Sequence, residues 1–138
     1  MRYTRIFPVL ILIILILFSS CKTGEVETAD DLEQTGILGE WKLDSRSVDG
    51  IADLSIQCCD YITFKPDSEP QDLFGEFTAT GLGYETSGVF ELNSSTNTIH
   101  FDYDNSQKSY EFQVSPSSIT FAYLENDQEI IEDWKKEE

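Results

Sequence analysis

Residues 98–124 read TIHFDYDNSQKSYEFQVSPSSITFAYL, and their alternation decides the fold. Ile99, Phe101 and Tyr103 alternate with Thr98, His100 and Asp102. Tyr110, Phe112 and Val114 alternate with Glu111 and Gln113, and Ile119, Phe121 and Tyr123 with Thr120 and Ala122. Successive side chains of a strand point to opposite faces, so each segment has one apolar face and one small or polar face. That is the signature of antiparallel strands packed on a core from one side only. Asp104-Asn105-Ser106 and Ser115-Pro116-Ser117 supply the turn residues between them. The stretch predicts an up-and-down meander of three strands.

The same rhythm extends toward the amino terminus. Gly36 to Gly50 holds a first strand, with Trp41 and Leu43 on one face and Lys42 and Asp44 on the other. Asp49-Gly50 is a turn signal. Ile51 to Cys58 has mixed periodicity, consistent with a helical turn or a lid-like loop. Further strands are predicted at Tyr61 to Lys65, Phe74 to Thr80 and Tyr84 to Leu92, with Gly88 marking a bulge or sharp bend in the last. After Glu125-Asn126-Asp127, an eighth strand is expected from Glu129 to Trp134; its facing is ambiguous, because Ile130 and Trp134 oppose Ile131. Eight short strands with one inward face each predict an all-β, eight-stranded up-and-down antiparallel barrel, closure being the way to remove exposed sheet edges. A two-sheet β-sandwich is the alternative.

Leu38-Gly39-Glu40-Trp41 carries the Gly-x-Trp pattern found at the start of the first strand in lipocalins. With Val48-Asp49-Gly50, the cysteine-containing loop and Tyr61-Ile-Thr-Phe-Lys-Pro-Asp67, the segment from Gly36 to Trp134 resembles the lipocalin-like domains of small bacterial lipoproteins. The resemblance implies a calycin-type barrel in which the glycine allows close backbone approach and the tryptophan closes one end. It does not imply one ligand, because a fold does not fix a function. The barrel interior is expected to present Trp41, Phe64, Phe77, Phe90, Phe101, Tyr103, Tyr110, Phe112, Phe121 and Tyr123. Such residues either line a pocket for a small hydrophobic ligand or fill a core.

The chain has 138 residues and a formal charge of −17. Residues 1–20 contribute Arg2 and Arg5 and no acid, so the balance of the remainder is −19. So acidic a surface repels phosphate backbones and argues against nucleic-acid binding. Arg2 and Arg5 precede an apolar run from Ile6 to Phe18, shorter than the ~18 apolar residues of a spanning helix. Basic start, short apolar centre and small residues before Cys21 make a secretory signal peptide. Leu17-Phe18-Ser19-Ser20-Cys21 resembles the lipobox of bacterial lipoproteins. That resemblance implies diacylglyceryl attachment to the Cys21 sulfur, cleavage before Cys21 and acylation of the new amino terminus. The expected organisation is a signal peptide at 1–20, the lipidated Cys21 with an acidic flexible tether at 21–35, and the barrel at 36–138. The chain is then a lipid-anchored cell-envelope protein. Lys22 in place of Asp favours the outer membrane, its periplasmic or its surface side.

Catalytic chemistry is not expected. His100 is the only histidine and lies on the polar face of its strand. No Ser/His/Asp arrangement is readable, and zinc would need further His or Cys ligands. Asp102 to Gln107 alternates acids and amides but lacks the central glycine and the bidentate glutamate of a calcium loop. With Cys21 lipidated, Cys58 and Cys59 remain as an adjacent pair, and a direct bridge between neighbours is strained. No cofactor or metal is expected. The function expected is binding of a small hydrophobic ligand without catalysis. The alternative is a filled barrel that binds or inhibits a protein partner through its loops or acidic face.

Overall fold

A computed structural model describes residues 31–55, 59–69 and 72–138. Cys21, the expected signal peptide and most of the expected tether lie outside the described residues, as does Cys58. The described chain starts with one helical turn, α1 (Leu32–Thr35), followed by β1 (Gly39–Val48), β2 (Ile51–Ala52), β3 (Tyr61–Pro66), β4 (Phe74–Gly81) and β5 (Tyr84–Asn93). The meander follows as β6 (Thr98–Tyr103), β7 (Ser106–Val114) and β8 (Ser118–Glu125), and β9 (Gln128–Lys136) completes the set.

All pairings are antiparallel between neighbours, and β9 returns to β1 from Trp41↔Lys136 to Val48↔Ile130. This closes an eight-stranded up-and-down barrel and excludes the sandwich. The extra strand is β2, where the expected helical turn or lid begins instead by folding back on β1 through Ser47↔Ala52 and Val48↔Ile51. Hairpin turns fall where Asp and Asn tolerate positive φ: Asp49, Asp104 with Asn105, and Asn126 with Asp127.

Two local features shape the interior. Gly88 is not a bulge: the β4–β5 pairing runs unbroken from Phe74↔Glu91 to Gly81↔Tyr84. Instead, a Cβ on Gly88 would run into the Asp102 carbonyl, so the glycine lets β6 press against β5. The bulge lies in β1, where the register against β9 shifts between Leu43 and Ser45. One extra residue, Asp44, exchanges the two faces of the strand beyond it. Leu43 pairs with the inward Trp134, and past the bulge Arg46 and Val48 pair with Glu132 and Ile130 on that same face.

The two ends of the barrel differ. At one end Ile37, Trp41, Phe64, Phe90, Ile99 and Ile119 are fully buried. Trp41 donates from its indole Nε1 to the Ile37 carbonyl at 2.8 Å, and the Lys136 ammonium sits 5.0 Å from the ring centre. Gly39 has φ 123°, and Lys136 crosses the space its side chain would take. The turn α1 closes over this end: Asp31 caps it, Gly36 ends it in the left-handed region, and Leu32 is buried in the core. Residues 31–35, expected as the last part of a flexible tether, are therefore a packed plug. Among the described residues no segment closes the other end, the open end.

Candidate ligand-binding site

The open end holds a cavity of about 230 Å³. Its floor is apolar: Ile62, Phe77, Phe101, Phe121 and Trp134. Phe77 meets Phe101 edge to face with ring centres 4.8 Å apart, and Trp134 meets Phe121 at 6.5 Å. Above them stand the phenols. Tyr110 and Tyr123, on adjacent strands, stack with centres 4.1 Å apart and planes 16° from parallel. Tyr103 and Tyr84 stand on other parts of the wall. Ile51, Leu54, Leu82 and Leu124 are exposed on the loops and strand ends of this end of the barrel.

Among the described residues one charged side chain lines the cavity, Glu132 of β9. Its side chain is 13% exposed. Tyr123 donates its hydroxyl to Oε1 at 3.0 Å, and Trp134 donates its indole N–H to Oε2 at 3.3 Å. Arg46 approaches from β1, with Nε 3.8 Å from Oε1 of Glu132 and Nη2 3.8 Å from Oε2 of Glu125. Neither distance makes a hydrogen bond, and the buried Nε has no acceptor among the described residues. Burial raises the Glu132 carboxyl above the usual carboxylate range, against the opposing pull of Tyr123, Arg46 and Trp134. Burial likewise pushes the Tyr110 and Tyr123 phenols well up, with the Glu132 charge adding to both. Both phenols are therefore neutral donors at any physiological pH.

Of the ten aromatics expected inside, Phe77, Phe101, Tyr103, Tyr110, Phe121 and Tyr123 line this cavity. Trp41, Phe64 and Phe90 lie instead in the filled end, where neighbours occupy the space around them, and Phe112 packs against the core outside the cavity. The lining residues outside those ten candidates are Ile62, Ala79, Tyr84, Thr86, Glu132 and Trp134, and Arg46 stands beside Glu132. Glu132 had a legible signal, since it shares its parity with Ile130 and Trp134. Arg46 had none, because its facing depends on the bulge. A second, larger cleft of about 460 Å³ lies at the plugged end between α1 and the β3–β4 loop, bordered by Asp31, Glu33, Asp67, Glu69 and Asp72. It shares no lining residue with the cavity of the open end.

The other sequence candidates sit apart. His100 is exposed on the outer face with Nδ1 2.6 Å from the Ser109 hydroxyl of the next strand. Asp102 accepts from the Gln107 amide across a two-residue turn. Cys59 is exposed in the loop before β3.

A closed antiparallel barrel, plugged at one end and open at the other onto an aromatic cavity, is the architecture of a small-molecule binding barrel. Residues 37–121 match the family model described as a lipocalin-like domain, and the chain belongs to that family. No curated protein and no solved structure matches the chain. Proteins of the lipocalin-like family are generally binding proteins rather than enzymes.

Proposed function

We propose that the protein holds a small, largely hydrophobic molecule in the open end of the barrel, by shape and aromatic contact and without catalysis. The observation that carries this reading is the division of the interior. Core aromatics fill one end completely, whereas Tyr103, Tyr110 and Tyr123 stand half-buried around a space of about 230 Å³. That volume is below the ~300–1,000 Å³ of pockets for drug-sized ligands, so the occupant is compact. A native mass spectrum of protein recovered from its host tests the reading. Extra mass that leaves on denaturation and belongs to one small compound is expected. A mass that stays bare after incubation with envelope extract counts against a ligand and turns attention to the loops and a protein partner.

The proposal extends to location. The lipobox-like Leu17 to Cys21 supports attachment to the membrane of a cell envelope through Cys21, with Lys22 favouring the outer membrane. An intact mass showing cleavage before Cys21 and added acyl chains, both lost in Cys21→Ser, is the expected result.

A further inference from the structure

The cavity is apolar on its floor, but its wall carries a specific polar group. Among the described residues Glu132 is the one charged residue lining it, and it is fixed in place by Tyr123 and Trp134. An ionised carboxylate offers about four lone-pair directions, of which these two bonds use two. Arg46 does not complete the set: it stands 3.8 Å away, is divided between Glu132 and Glu125, and leaves its buried Nε unbonded. Beyond it, Asp60 accepts from the Tyr84 hydroxyl at 3.2 Å and adds a further negative charge near the mouth. Lys108 lies on the far side of Glu125, at 3.6 Å, rather than on Glu132. The wall beside the carboxylate is aromatic, built of the stacked Tyr110 and Tyr123 and the Trp134 indole. A carboxylate with open acceptor sites, set among aromatic faces, is complementary to an ammonium group and repels an anion.

We infer that the occupant is a compact aromatic or alicyclic amine, its ammonium bonded to the Glu132 carboxylate and its ring resting on Phe77, Phe101 and Tyr110. The inference rests on the cavity being the binding site. The net charge of −17 acts in the same direction, raising the local concentration of small cations and lowering that of anions.

Three compounds with the same ring test it: phenethylamine, phenethyl alcohol and phenylacetate. They are titrated calorimetrically at neutral pH into the full chain held in zwitterionic lipid nanodiscs, with empty discs as blank. The amine is expected to bind roughly tenfold or more tightly than the carboxylate, with the alcohol between them. Glu132→Gln is expected to weaken the amine by about tenfold while leaving the alcohol within about twofold. Phenylacetate binding as tightly as the amine overturns the inference, and so does a folded Glu132→Gln that holds the amine unchanged. The ranking on the unaltered protein stands even if the variant does not fold. Alcohol binding without a gain for the amine keeps the cavity and removes the amine; no heat from any of the three removes both.

Discussion

The two ends of this barrel use the same strands and nearly the same residue types, yet only one of them is solid. At the plugged end, Trp41, Phe64, Phe90, Ile99 and Ile119 meet the cap residues Leu32 and Ile37, so every inward position has a partner. At the open end no described segment plays the part of α1, and phenols join the phenylalanines in the lining. A phenol tolerates a wet boundary because its hydroxyl keeps hydrogen bonds while its ring stays apolar. The difference teaches that the interior of a small barrel becomes a site where the plug is missing and the lining can face water.

The sharpest way to break that comparison is to hollow each end in turn. Phe64→Ala at the plugged end is expected to cost about 3–5 kcal/mol in urea unfolding, because the surrounding rings cannot collapse into the space. Tyr110→Ala at the open end is expected to cost less, about 1–2 kcal/mol, because this half-buried ring already borders open space. Equal costs would mean that the ends are equally packed. A smaller effect separates strand geometry from side-chain packing. Gly88→Ala drives a Cβ into the Asp102 carbonyl and should cost about 1–3 kcal/mol, read as a lower melting temperature. Tyr123→Phe removes one donor from Glu132 and is expected to cost about 1 kcal/mol by urea unfolding.

The smallest effect is a pH dependence. Burial holds the Glu132 carboxyl above its unfolded value, so between those values the folded chain binds more protons than the unfolded one. Stability from this group is therefore present at low pH and is lost as pH rises from about 4 through the raised folded value. Melting temperatures of the unaltered chain and of Glu132→Gln, measured across that window, should show the unaltered chain losing ground as pH rises. The opposite slope would place Glu132 in a charge-stabilised rather than a desolvated setting.

Much of the fold was legible because one-sided packing writes a period of two into each strand. Ile99, Phe101 and Tyr103, or Ile119, Phe121 and Tyr123, have no other economical reading. The division of the interior was not legible, since Phe64 and Phe101 carry the same signal whether neighbours or a cavity stand beside them. Leu32 looked like one apolar residue in an acidic tether, and its burial depends on the barrel end it covers. Ile130, Ile131 and Trp134 put apolar residues on both faces of β9, which hid Glu132 between them. A carboxylate inside also opposes the usual inward rule, and Tyr123 and Trp134 make it tolerable by donating to it.

The bulge at Asp44 gives β1 two reading frames. Up to Leu43 the odd-numbered residues face inward, and beyond Asp44 the even-numbered ones do. The same residues paired without the bulge would turn Ser45 and Ser47 inward and send Arg46 and Val48 to solvent, whereas removing Asp44 itself would restore regular pairing with Arg46 and Val48 still facing inward. The charge chemistry of the mouth thus depends on one extra residue being looped out of the β1–β9 pairing as much as on the identities of the residues beyond it.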